Sequence, residues 1–178
     1  MKTIPELNKY INDNIQGVFG EGEMEVLKRE IEKLQPGAIY VEIGVDEGKS
    51  ARVAHEYAHP DVFKIFIDIH DPTPRGPWME KEGMVGINKR GFYIHGDADL
   101  FANLFLMEID LLFIDGHHDY ESVKRNTEMW EPLVKNYGGV ILFHDYDHPE
   151  TKKWLDEHYG KKIEVFYDKI VKVIPYEN

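Results

Sequence analysis

Apolar residues recur along this chain with two different periods. Ile4, Leu7, Ile11 and Ile15 lie at helical spacing and predict a helix over residues 5–15. Met24, Leu27, Ile31 and Leu34 predict a second, ended by Pro36 and Gly37. From there the period shortens. Residues 39–43, 62–68, 91–95, 110–115 and 140–144 are short runs rich in β-branched and aromatic residues, each read as a buried strand. Helices are predicted between and after them, at about 49–58, 97–105, 119–136 and 149–159. The third of these turns Val123, Thr127, Trp130, Leu133 and Val134 inward, and the last stops at Gly160. Residues 163–167 and 170–174 predict a closing antiparallel pair separated by Asp168-Lys169. Pro72, Pro74, Gly76 and Pro77 make residues 69–90 the least regular part, with one or two helical turns expected between Trp78 and Asn88. Strands alternating with helices specify an α/β fold, a mostly parallel sheet covered on both faces. One domain is expected over 1–178, with residues 1–37 as N-terminal helices and 38–178 as the core.

The formal net charge is −12, so a nucleic acid would be repelled over most of the surface, and no Lys/Arg run offsets this. The partner expected is a small molecule, with a homo-oligomer left open. The chain has no cysteine, which excludes disulfides, thiolate catalysis and Cys-ligated metals. No apolar segment approaches ~20 residues and the first residues lack the form of a signal peptide. No membrane association and a cytoplasmic location are expected.

The stretch from Ala38 to Ala51 carries the first chemical signal. A strand runs into Gly44, a turn into Gly48, and then a helix. This unit presents backbone N–H groups and a helix N-terminus to a nucleotide-like ligand. The spacing Glu42-x-Gly44-x-x-x-Gly48 departs from the dinucleotide fingerprint. Glu42 and Glu47 would repel a phosphate here and would accept a cationic ligand. S-adenosylmethionine, with a sulfonium and an ammonium and no phosphate, meets that requirement. Asp68 ends the second strand, 20 residues past Gly48, where a carboxylate can accept hydrogen bonds from both ribose hydroxyls.

A second signal comes from the strand ends. Six of the nine histidines and seven aspartates fall at or just past them, on the sheet edge where open α/β folds bind ligands. Asp115 and Asp145 end adjacent strands. Two carboxylates brought close need a cation if both are to stay ionised.

Taken together, Glu42-x-Gly44-x-x-x-Gly48, Phe113-Ile114-Asp115-Gly116-x-His118-x-Tyr120 and Gly138-Gly139-Val140-Ile141-Leu142-Phe143-His144-Asp145-Tyr146 resemble the class I S-adenosylmethionine-dependent methyltransferases. The similarity is to the small family that includes macrocin O-methyltransferase and the cephalosporin-hydroxylase-like proteins, and it spans about residues 38–175. It implies a Rossmann-like seven-stranded sheet of order 3-2-1-4-5-7-6. It implies cofactor contacts at Glu42, Gly44, Gly48, Asp68, Asp97 and Asp115, with Asp97 either meeting the adenine amino group or only capping a helix. It implies Mg2+ or another divalent cation on Asp115 and Asp145, which would bind the acceptor oxygen and lower its pKa.

Metal-dependent relatives such as catechol O-methyltransferase carry a lysine base three residues past the strand 4 acid, whereas this chain has His118, as macrocin-type relatives do. An imidazole of ordinary pKa near ~6.5 suits proton removal at neutral pH. His144 stands where macrocin-type enzymes have an acid. It could replace an oxygen ligand and favour Mn2+ or Fe2+, act as a catalytic base, or stay outside the site. The expected reaction is in-line O-methyl transfer to a small-molecule hydroxyl, with Arg75 and Trp78 as candidate acceptor contacts. A hydrolase- or hydroxylase-like metal enzyme, or a non-catalytic adenosine-binding protein, remain alternatives on the same fold. The missing third glycine and the strand 1 acid argue against a nicotinamide enzyme.

Overall fold

The structure is a computed structural model that describes residues 1–70, 79 and 83–176. Two helices come first, α1 (Ile4–Asn14) and α2 (Glu21–Ile31). The core then runs β1 (Ile39–Ile43), α3 (Lys49–Tyr57), β2 (Phe63–Asp68), β3 (Gly91–His95), α4 (Ala98–Ala102), β4 (Leu111–Ile114), α5 (Tyr120–Trp130), β5 (Val140–Phe143), α6 (Pro149–Tyr159), β6 (Glu164–Phe166) and β7 (Ile170–Val173). The strands form one sheet in the order β3-β2-β1-β4-β5-β7-β6. The first five are mutually parallel, and β7 pairs antiparallel with both β5 and β6.

Side-chain alternation in the strands builds two cores. Tyr40, Phe66, Phe113 and Leu142 face the N-terminal helices and α3, where they meet Leu7, Ile11, Met24, Leu27 and Ile31. Val41, Ile43, Ile67, Leu112, Ile114 and Phe143 face the other way, toward Val123, Trp130, Trp154 and Leu155. With helices on both faces, the polar strand ends open only at the carboxyl edge. The chain order reverses there between β1 and β4, the place where such sheets leave a crevice.

Three helices stop earlier than their apolar period suggests. α5 ends at Trp130 and passes into a 3-10 turn over Glu131–Leu133. Pro132 has no N–H to give and its ring crowds the preceding turn, so the helix cannot reach Asn136. α4 is a single short turn, and the Asn103 side chain donates to the Asp99 carbonyl at 3.2 Å, competing with the backbone ladder. α2 gives way to turns after Ile31, ahead of Pro36, whose ring disfavours helical backbone in the residue before it. At the closing hairpin the central residues are Tyr167 and Asp168, at φ 54° and 56°, rather than Asp168 and Lys169. Two positive φ values match the twist of the flanking strands and deliver Lys169 to the carboxyl edge of the sheet. Arg75 and Trp78 lie outside the described residues, as does half of the 69–90 segment.

Candidate active site

A cavity of about 480 Å³ opens at that carboxyl edge. Its floor is formed by the ends of β1, β2, β4 and β5, and its rim by Val18 of the α1–α2 link and Lys169 of the β6–β7 turn. Of the sequence-derived candidates, Gly44, Asp68, Asp97, Asp115, His118, His144 and Asp145 line it. Glu42 and Gly48 do not.

Gly44 has φ +81°, and a Cβ built there would stand 2.0 Å from the Asp115 carbonyl oxygen. Only glycine permits both that backbone and that approach. Gly48, at φ +87°, instead sets the start of α3. The turn between the two glycines is fixed by Asp68, whose Oδ2 accepts the Val45 and Asp46 N–H groups at 2.8 and 2.7 Å. Its Oδ1 accepts the His70 N–H at 2.7 Å, with the His70 ring 3.0 Å away. Asp68 thus organises the turn as well as facing the cavity.

Glu42 lies behind that turn, fully buried. It alternates onto the α3 face of β1, where Tyr40 Oη and Ser50 Oγ donate to it at 2.7 and 2.5 Å. Burial pushes its carboxyl up to about 8, with Asp115 and Asp68 adding to the rise and the two hydroxyls opposing it. It therefore stands neutral at pH 7, as an internal tie between strand and helix, not as a wall of the cavity.

On the β3 side, Asp97 caps α4 by accepting the Asp99 N–H at 2.9 Å while still lining the cavity. The buried Asp99 accepts from Asn126 Nδ2 at 2.6 Å and from Arg125 Nε. The periodicity of α5 does not single these partners out, because they meet only once that helix packs beside α4.

Asp115, His144 and Asp145 converge on the β4–β5 side, with one donor atom of each lying within 4.8 Å of the others. His144 Nδ1 is 3.1 Å from Asp115 Oδ1 and 3.1 Å from Asp145 Oδ2. That nitrogen is buried and makes no well-directed hydrogen bond. The other ring nitrogen, Nε2, is 2.6 Å from Oε1 of Glu23, a buried acid of α2. Phe19 packs a tilted ring on the imidazole with centroids 5.6 Å apart.

Burial alone would lower the His144 imidazole, but the carboxylates of Asp115, Asp145 and Glu23 push it up to about 12. Burial raises Asp115 against the pull of His144. For Asp145 burial also acts upward, and contact with His144 reverses it, leaving that carboxyl below its ordinary value. The Asp145 backbone is left-handed, φ 51°. With both nitrogens directed at carboxylates, His144 turns none toward an acceptor. His118 differs: its Nδ1 is 3.4 Å from Asp145 Oδ2 and its side chain is 44% exposed at the cavity mouth.

Half-buried carboxylates arranged around a buried imidazole nitrogen suit a divalent cation, since each donor type is a normal ligand and a +2 charge would offset the acids. The methyltransferase-domain family matches residues 41–146, more than half of the chain. The protein belongs to this family. No curated protein matches it.

Among solved structures, a putative caffeoyl-CoA O-methyltransferase from Staphylococcus aureus superposes with a TM-score of 0.69 at 15% identity, covering 97% of this chain and 92% of that one. An O-methyltransferase from Bacillus cereus, solved in complex with SAH, gives 0.68 at 16% identity, with 96% and 88% covered. The MycE methyltransferase of the mycinamycin pathway, solved with Mg, SAH and mycinamycin VI, gives 0.65 at 18% identity, covering 96% of this chain and 52% of that one. At such identities the likeness is one of fold, and it agrees with the strand order seen here. Among the described residues no helix is long and apolar enough to cross a membrane.

Proposed function

We propose that this methyltransferase transfers the methyl group of S-adenosylmethionine to a hydroxyl of a small molecule, with a divalent cation held by Asp115, His144 and Asp145. The observation that carries the proposal is one cavity with two chemically distinct ends. One end has the glycine turn, Asp68 and Asp97; the other has the three clustered donors and His118. Solved structures of the same fold with SAH, and one with Mg as well, support the same assignment.

S-adenosylmethionine supplies the methyl as an electrophilic sulfonium substituent. A bound cation supplies positive charge against the acceptor oxygen, which lowers its pKa. The protein's own groups do the rest. The Gly44 turn leaves room for close backbone approach, and Asp68 offers a carboxylate to the ribose. Asp97 faces the adenine end. His118 stands at the mouth with Nδ1 toward Asp145, which leaves Nε2 to take the acceptor proton. Holding both reactants in line is itself a large part of such catalysis. The net charge of −12 supports a small-molecule acceptor over a nucleic acid.

The test is S-adenosylhomocysteine release against a panel of hydroxylated acceptors, before and after chelation, with Mg2+, Mn2+ and Fe2+ restored separately. Activity lost in chelator and regained with a cation is the expected result. Full turnover in chelator overturns the metal assignment. Absence of any heat of S-adenosylhomocysteine binding overturns the cofactor assignment.

A further inference from the structure

We infer that Glu23 positions His144 as a nitrogen ligand of the cation and thereby makes the site select a first-row transition ion of the Mn2+ or Fe2+ class over Mg2+. This rests on the metal site proposed above and specifies which metal it takes. Glu23 belongs to none of the sequence motifs, and 121 residues separate it from His144.

The geometry is that of a ligating histidine with its supporting carboxylate. A histidine that binds metal through one nitrogen ordinarily donates its other N–H to a carboxylate or carbonyl, which fixes tautomer and ring orientation. Here Nε2 meets Glu23 at 2.6 Å, and Nδ1 faces the gap between Asp115 and Asp145 at 3.1 Å from each. Nδ1 is also buried without a hydrogen bond, although two carboxylates lie within reach. A nitrogen that gives up its proton to a cation held between those oxygens would account for that arrangement.

Glu23 is itself held. Its second oxygen accepts the Gly20 N–H at the start of α2. Phe19 and Phe113 pack against the imidazole, with centroids 5.6 and 6.2 Å away, so the ring has little freedom to turn.

Charge gives the second argument. Three carboxylates surround one buried imidazole; Lys169 pairs with Glu23 at 4.0 Å, and the half-exposed His118 lies 3.4 Å from Asp145. A structural tie for His144 needs a single acid. Three leave an excess of negative charge that a divalent ion would balance. The ligand set is then one nitrogen and two oxygens. Mg2+ favours all-oxygen surroundings and gives up its waters reluctantly, whereas imidazole suits Mn2+, Fe2+ and the later ions. Glu23 strengthens that preference by making the imidazole a better donor.

The experiment uses the full chain, stripped of metal and titrated by calorimetry with Mg2+ and with Mn2+, the latter also followed by the paramagnetic resonance of the free ion. Wild type should bind Mn2+ at least about tenfold more tightly than Mg2+. Glu23→Gln keeps the shape, lacks the charge, and can accept only one of the two N–H groups. It should weaken Mn2+ by about 10- to 100-fold and Mg2+ by much less, collapsing the ratio while S-adenosylhomocysteine heat stays at the wild-type value. His144→Asp should reverse the preference.

A measurement on wild type alone guards against a misfolded variant. With Zn2+ and 15N-labelled histidine, the Nδ1 resonance of His144 should shift on metal addition while Nε2 keeps its proton. Wild-type Mn2+ affinity and selectivity in Glu23→Gln overturn the role of Glu23. Unmoved His144 nitrogens in the presence of bound Zn2+ overturn nitrogen ligation. A wild-type protein that binds S-adenosylhomocysteine but no divalent ion overturns the metal site itself, a separate outcome from either.

Discussion

The two ends of the cavity hold their acids in opposite ways. At the β1–β2 end, Asp68 has its carboxylate oxygens occupied by three backbone N–H groups and the His70 ring, so the chain itself supplies the compensating dipoles. At the β4–β5 end, Asp115, Asp145 and Glu23 share one imidazole. At the first end the protein itself offsets the charge of the acid. At the second, three acids face one buried imidazole, with Lys169 and His118 only at its margin, and in the proposed function a cation completes it. The difference explains why removal of a residue from one end should leave the other working.

The largest expected effect breaks the second end alone. Asp145→Ala should abolish cation-stimulated transfer and leave S-adenosylhomocysteine affinity within about twofold, because its contacts are to His144 and His118. Calorimetry in parallel with turnover checks both halves of that statement, and equal loss of the two would show that the ends are not separable. His118→Ala should slow transfer by about 10²- to 10⁴-fold, the usual worth of a positioned base, with metal and cofactor still bound. Single-turnover rates at saturating cation isolate that step. A fall confined to the melting temperature would assign His118 a structural part only.

Glu42, which lies behind both ends, sharpens the comparison through pH. The folded protein keeps its proton up to about pH 8, whereas an unfolded chain releases it near the ordinary value of 4.5. Between those values folding takes up a proton. The contribution of Glu42 to stability is therefore fully present below about 4.5 and is lost as pH rises toward 8. Glu42→Gln removes that decline. The gap between variant and wild type should widen by a few kcal/mol across the window, of the order expected when ~1.4 kcal/mol attaches to each pH unit. Urea melts at several pH values read it directly, and parallel curves for the two proteins would refute it.

The smallest effect tests the first end. Asp68→Ala should weaken S-adenosylhomocysteine by roughly 1–3 kcal/mol, through lost ribose hydrogen bonds and a turn no longer tied down. Unchanged affinity would remove Asp68 from the cofactor assignment.

How far the chain could be read in advance follows the same division. The strands were legible to within a residue or two because each is a short β-branched run between polar or glycine punctuation, and their order followed from the family resemblance. Gly44, Asp68, Asp115 and Asp145 were legible because strand ends in such sheets point at a crevice. Glu42 was misplaced, since the strand-end rule says nothing about which face a residue one position earlier will take.

Glu23 was missed because it lies on a helix whose apolar stripe explains the sequence without it. A signal was present: Glu23 and Glu30 stand next to Met24 and Ile31 of the apolar stripe, and both acids are buried. An acid beside the buried stripe of a helix requires a partner; Lys33 is a local i,i+3 partner for Glu30, yet nothing local in sequence names His144 for Glu23, or Lys172 for Glu30. The hairpin turn was placed one residue late because Asp-Lys looks more turn-like than Tyr-Asp, whereas the register of β6 on β7 decides it.

The contact between Gly44 and the Asp115 backbone has a practical consequence for redesign. With no space for even a methyl group between the two, the glycine turn after β1 and the chain at the end of β4 are in effect one rigid joint. A library that varies position 44 would degrade every activity of the protein together and say nothing about acceptor choice. Val18 and Lys169, carried on the α1–α2 link and the β6–β7 turn, border the same cavity without sharing that joint. New acceptors are better sought there, where a changed side chain alters the doorway and leaves the hinge-less frame behind it intact.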